Sequence, residues 1–167
     1  MASPGGVCPK DSDTPCILGS GGGVGVRVGY RARDPWYLGG AYEFSRHDSS
    51  NLLRLAILQQ FRAEGRYYFD RGDRTTGFAT AAGGFHLYGN EWGASTIGGL
   101  LAAGAGVEFQ LSPSTTVGCI LTYRLLVSRR WVDSAGVERA DQFLGFGVSH
   151  LIGFELTLEV REPIPRF

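Results

Sequence analysis

From Gly21 onward the dominant period of this sequence is two. In residues 23–31, Val24, Val26, Val28 and Tyr30 fall on one side, and Gly25, Arg27, Gly29 and Arg31 on the other. That is the alternation of a β-strand with one apolar face. Ala32-Arg33-Asp34-Pro35 reads as a turn. Trp36, Leu38, Tyr42 and Phe44 then oppose Tyr37, Gly39, Ala41, Glu43 and Ser45, and residues 46–51 read as a polar loop. The longest segment sets Leu53, Leu55, Ile57, Gln59, Phe61, Ala63, Gly65, Tyr67 and Phe69 against Arg54, Ala56, Leu58, Gln60, Arg62, Glu64, Arg66 and Tyr68. A helix competes over residues 52–64, whose Leu, Ala and Gln favour it. The even spacing of Arg54, Arg62, Glu64 and Arg66 decides for a strand.

The same pattern continues to the end. Residues 75–88 form a small-residue strand whose facing stays open, and residues 89–95 a loop. In 97–111, Val107, Phe109 and Leu111 oppose Glu108 and Gln110. Val117, Cys119, Leu121, Tyr123 and Leu125 oppose Gly118, Thr122 and Arg124, and a long polar loop follows over 128–141. Last, Ile152, Phe154, Leu156, Leu158 and Val160 oppose Glu155, Thr157, Glu159 and Arg161. Seven strands emerge, joined alternately by short turns (32–35, 70–74, 112–114) and longer connections (46–51, 89–96, 128–141). The fold expected is all-β, an antiparallel up-and-down barrel over residues 21–167, preceded by an irregular segment over 1–20. About eight strands are expected, because single-chain bacterial barrels have even strand numbers. The eighth is expected either upstream of residue 1, together with a signal peptide, or within residues 1–20.

Alternation alone does not say which face is inside. A soluble barrel puts apolar residues in and charges out; a membrane barrel reverses this. Sixteen basic and sixteen acidic residues cancel, and of the basic ones only Lys10 is a lysine. Arginine suits confined pairing, because its planar fork meets a carboxylate at two points. The polar rows alternate in sign and carry many of the 26 glycines, as a narrow lumen requires. The strands are long enough for a bilayer, which takes about 9–11 tilted residues. The apolar rows end in Tyr30, Trp36, Phe44, Tyr67, Phe69 and Tyr123, like the aromatic girdles of membrane barrels. No run approaches the length of a membrane-spanning helix. The balanced charge offers no field for nucleic acid.

Little in the sequence points to chemistry. His47 is expected in a solvated loop beside Asp48. Ser149 and His150 are neighbours in a strand and point to opposite faces. No serine, histidine and acid are seen on one face, as a lipid-modifying barrel enzyme would need. Gly21-Gly22-Gly23-Val24-Gly25 lacks the preceding strand and following helix of a phosphate loop. No cofactor or metal is expected. Cys8 and Cys16 bracket a turn-rich loop and are expected to form a disulfide, with two free thiols as the alternative; Cys119 sits alone in an apolar strand.

In its segments Cys8…Cys16-Ile17-Leu18-Gly19, Val26-Arg27-Val28-Gly29-Tyr30-Arg31, Tyr37-Leu38-Gly39-Gly40-Ala41-Tyr42-Glu43 and Arg62-Ala63-Glu64-Gly65-Arg66-Tyr67-Tyr68-Phe69 the chain resembles the small porin-like outer-membrane β-barrel proteins of Gram-negative bacteria. That resemblance implies an outer-membrane location, lipid as partner, and a structural role or a very narrow pore. Such proteins usually end on a strand closing in an aromatic residue; here Pro163 and Pro165 precede Phe167. A soluble or periplasmic barrel for a small hydrophobic ligand is the alternative, and a lipid-modifying enzyme a third reading. Protein partners are not legible.

Two residue sets follow from the membrane orientation. Leu55, Ile57, Phe61, Leu121 and Leu156 are expected to face lipid. Arg27, Glu43, Arg62, Glu64, Arg66, Glu108, Arg124, Glu155 and Glu159 are expected to line the lumen as a paired network. A charge there loses bulk water and needs a partner. These are five acids and four bases, with Arg54 or Arg31 available as the fifth base.

Overall fold

The computed structural model describes residues 2–3, 18–31, 35–48, 55–69, 74–90, 96–128, 131–132, 138–139 and 147–160. Its strands are β1 (Ala2–Ser3), β2 (Gly21–Arg31), β3 (Trp36–His47), β4 (Ala56–Tyr68), β5 (Thr75–Asn90), β6 (Thr96–Ser112), β7 (Thr115–Ser128), β8 (Trp131–Val132), β9 (Glu138–Arg139) and β10 (Gly147–Val160). Seven long strands form an antiparallel meander, and β1 closes it into a barrel by pairing with both β10 and β2. β8 and β9 make a separate two-stranded sheet.

The period-two pattern becomes the two faces of this wall. In β4 the even positions 56–68 are buried, while Ala63 and Tyr67 on the odd row are exposed. That settles the strand-versus-helix competition, because a helix would have spread the buried set at a spacing of 3.6. β5, whose facing the sequence left open, puts Thr76, Phe78, His86 and Tyr88 inward. Register against β4 fixes it: Phe78 lies opposite Tyr68 and His86 opposite Gln60, both buried.

Several boundaries differ from expectation. β3 continues through Arg46 to His47, where a loop was expected, because these residues pair with Ile57 and Ala56 of β4. β4 begins at Ala56, so Leu55 precedes the strand, its backbone N–H donating to Asn90 Oδ1 at 3.0 Å. Within residues 128–141, expected as polar loop, the β8–β9 pair is present. Ala2–Ser3 is a strand in a segment read as irregular, and it pairs in the barrel within residues 1–20, one of the two places expected for the eighth strand. Cys8, Cys16 and Arg54 lie outside the described residues.

The interior holds two apolar clusters. At the end bearing the longer connections, Leu18, Ala56, Leu58, Tyr88, Leu100, Leu126 and Leu151 pack together. Toward the other end, Tyr37, Tyr68, Phe78 and Ile120 form the second. Glycine makes room for the rings. A Cβ on Gly39 would stand 2.7 Å from Tyr37 Cζ, and one on Gly106 would stand 2.6 Å from Phe78 Cζ. Side chains at those sites would push the rings off the wall.

Candidate functional site

Between the two apolar clusters the barrel is filled with charge. Strand parity directs Arg27 and Arg31 of β2, Glu43 of β3, Arg62, Glu64 and Arg66 of β4, Glu108 of β6, Arg124 of β7, and Glu155 and Glu159 of β10 to the interior. Glu155 accepts from three arginines: Arg27 at 3.0 Å, Arg62 at 3.2 Å, and Arg124. Glu43 bridges Arg62 at 3.0 Å and Arg124 at 2.8 Å. Gln60 ties this group together, donating to Glu43 and accepting from Arg124 at 3.1 Å.

A second knot lies toward the short turns. Glu64 meets Arg27 and, at 3.2 Å, Arg66. Arg66 also reaches Glu108 at 3.3 Å and Glu159 at 3.8 Å. The Tyr68 hydroxyl donates to Glu108 at 2.9 Å. The Arg66 guanidinium carbon lies 5.0 Å from the ring centres of both Tyr37 and Phe78, and that of Arg31 stands 3.7 Å over Tyr68. Cation–π contacts thus join the network to the aromatic cluster.

The structure therefore brings together all nine residues named for the lumen. It adds Arg31, which bonds Glu108 at 2.9 Å. Arg31 makes the network among the described residues five bases against five acids, so that network is electrically neutral. The aromatic and glutamine partners were not anticipated. Their signal was row membership, since Gln60 and Tyr68 share the inward row with Arg62. A cavity of about 10 Å³, room for roughly one water, lies among Arg27, Arg62, Glu64, Thr80 and Thr122. Opposite the charged strands the wall is small: Ala82 and Ala102 border the same space.

The residues named as lipid-facing divide. Leu121 and Leu156 stand outward, 59% and 74% exposed. Phe61 is half-buried in an outer aromatic row, 4.7 Å from Tyr42 and 4.9 Å from Phe85 between ring centres. Ile57, on the outward row, is only 7% exposed, in register between Arg46 and Gly89. Leu55 is partly buried and lies before β4, away from mid-wall.

The outer surface is otherwise apolar. On the outward rows of the long strands Arg46 is the one full charge among the described residues. Gln59 accepts from the Tyr42 hydroxyl at 3.1 Å, and His150 shares a 2.5 Å hydrogen bond with Tyr123. Tyr30, Trp36, Tyr67, Phe69 and Phe109 stand exposed near the short-turn ends, with Trp36 5.0 Å from Tyr67 and Tyr67 5.8 Å from Phe69.

The histidines correct two expectations. His47 is buried at the end of β3, not solvated in a loop; Nε2 meets Ser45 Oγ at 3.0 Å and Nδ1 the Gly19 carbonyl at 3.0 Å. Glu43, Ser45 and His47 do share one face, as any i, i+2, i+4 set in a strand must. Their contacts diverge, however. Glu43 turns to the arginines, and Ser45 Oγ also donates to the Leu58 carbonyl at 3.2 Å. His86 repeats the motif, with Nε2 2.9 Å from Ser128 Oγ and Nδ1 3.2 Å from the Gly99 carbonyl. Ser45, Ser128 and His86 are all but inaccessible, so these pairs satisfy buried polar groups and present no nucleophile to a substrate. Among the described residues no three metal-ligating side chains converge.

No family model, no curated protein and no solved structure matches this chain.

Proposed function

We propose that this chain is an integral outer-membrane β-barrel protein with a plugged interior, serving structurally or as a very narrow pore, without catalytic activity. One observation carries the reading: the inversion of the wall. Among the described residues, ten charges are paired inside and the outward rows of the long strands carry one. A water-soluble barrel gains nothing from presenting Val24, Val26, Leu38, Leu101, Leu121 and Leu156 to solvent while enclosing its ions. In hydrocarbon the same arrangement puts apolar area against lipid and keeps charge away from it.

The dimensions support it. Residues 36–46 on β3 and 150–160 on β10 separate the aromatic or apolar margin from the outward polar groups Arg46 and His150. Each stretch is 11 residues, within the roughly 9–11 that a tilted strand needs to cross. The outward polar side chains Gln59 and His150 are bonded to tyrosines, which suits a headgroup boundary. Against the alternative of a soluble barrel with a hydrophobic ligand stands the filled, charged interior.

Refolding the chain with lipid vesicles tests this. It is expected to float with them through a density gradient and to give little or no ion conductance in planar bilayers. A chain that stays in the aqueous fraction overturns the membrane reading; large stable currents overturn the plug.

A further inference from the structure

The outer wall is apolar, but one face of it carries hydrogen-bond donors that the fold leaves unused. Arg46 stands exposed on the outward row near the end of β3. It makes no ion pair or hydrogen bond through its side chain among the described residues. Asp48, the next acid along the chain, lies past the end of the strand, where its backbone bonds Gly19 and Ser20. Register places Arg46 opposite Ile57 of β4, and Gln59 is the next outward residue of β4 toward mid-wall. Diagonal neighbours of this kind lie about 7–8 Å apart, within reach of two long side chains. Gln59 Oε1 accepts from the Tyr42 hydroxyl at 3.1 Å, while its amide nitrogen donates to nothing among the described residues.

Toward mid-wall the same face becomes apolar in two steps. Tyr42, Phe61 and Phe85 form a ridge across β3, β4 and β5, with ring centres 4.7 and 4.9 Å apart. The next outward row toward the short turns is Gly40, Ala63 and Gly83, in register on the same three strands. A Cβ placed on Gly40 would meet only the Arg62 carbonyl oxygen, at 3.8 Å, so the space over it is open. From the longer connections inward the order is therefore cation, amide donor, aromatic ridge and open apolar floor. A phospholipid presents the complementary order: phosphate, ester carbonyl and acyl chain.

We propose that this face of β3–β5 seats one anionic phospholipid of the leaflet at the long-connection end. Its phosphate lies on the Arg46 guanidinium, an ester carbonyl accepts from the Gln59 amide, and an acyl chain crosses the ridge to lie over Gly40 and Ala63. The inference rests on the membrane reading. Arginine suits the headgroup because its planar fork bonds a phosphate at two oxygens. The ligand is a lipid and not free phosphate, because a single exposed ion pair contributes little in water. The apolar floor adds to binding only when the ligand brings a chain to cover it. The headgroup carries net negative charge, because the outward rows of the long strands offer no acid among the described residues to hold a choline or an amine.

Native mass spectrometry of the chain released from micelles holding equal amounts of phosphatidylglycerol and phosphatidylcholine tests the seat. The first lipid retained is expected to be phosphatidylglycerol by about fivefold, the scale of one basic group at an anionic surface. Arg46→Gln is expected to bring the ratio to about one, Arg46→Lys to keep most of it, and Gln59→Leu to lower retention of both lipids. His150→Gln, at the outward polar group on the far strands, is expected to change nothing. A ratio near one in the unmodified chain overturns the proposal, as does a preference that survives Arg46→Gln or is lost equally with His150→Gln. Retention that a millimolar excess of inorganic phosphate competes away overturns the choice of a lipid. Vesicle flotation of the same preparation separates the two readings. A chain that floats but retains both lipids alike refutes the seat alone; one that does not float refutes the membrane reading and the seat with it.

Discussion

Glu155 stands where three arginines meet, and its removal shows what the interior network does. Arg27, Arg62 and Arg124 would each lose a partner, with Arg62 and Arg124 buried and Arg27 mostly so. Breaking a buried ion pair from one side costs about 3–5 kcal/mol. Glu155→Ala is therefore expected to lower stability by about that much in urea titrations in micelles. An effect no larger than that of a surface change would mean the arginines are solvated. Gly39 offers a second test, because Tyr37 lies against it. Gly39→Val should cost about 1–3 kcal/mol in the same titration, and because the added Cβ would also stand 2.6 Å from the Val28 carbonyl oxygen, shortening Tyr37 to Ala is not expected to relieve it. Charge was the legible part of this site, since alternation fixed the face of each Arg and Glu. What alternation hides is which inward residues touch across the barrel. Arg31 was one of two candidates for the fifth base, and only the three-dimensional pairing with Glu108 selects it. The Glu43, Ser45 and His47 face was visible in the spacing, but a supposed loop at residue 46 concealed it.

At the scale of strands, the sequence named the seven long elements because each carries a strong two-residue period. It was silent on β5, whose Gly and Ala residues give both faces the same character, until register against β4 set it. Leu58 was placed on the inward row with Arg62, while Leu100, Leu126 and Leu151 were given no face; all four point inward, where they close one end of the barrel. Leu121 lies in the middle of β7 on the outward side, with Leu156 likewise outward on β10. Leu121→Arg is expected to cost about 2–4 kcal/mol when the chain folds into a bilayer. Folding equilibria in vesicles would measure it, with Thr115→Arg at the strand's margin as the comparison expected to cost much less. Equal costs at the two sites would remove the depth dependence on which the membrane placement depends.

For the whole molecule, we propose that the wall is inverted, with ions enclosed and hydrocarbon side chains turned to lipid. The charge balance and the scarcity of lysine already pointed there, and the five-to-five pairing inside gives the reason the arrangement is stable without water. The most direct measurement is magnetisation transfer from lipid acyl-chain protons to the methyl groups of the chain reconstituted in bilayer nanodiscs. The methyls of Val24, Val26, Leu101, Leu121 and Leu156 are predicted to receive it strongly. Those of Leu58, Leu100, Leu126 and Leu151, inside the barrel, are predicted to receive almost none. Transfer to neither set, or to the inner set before the outer, would contradict the account.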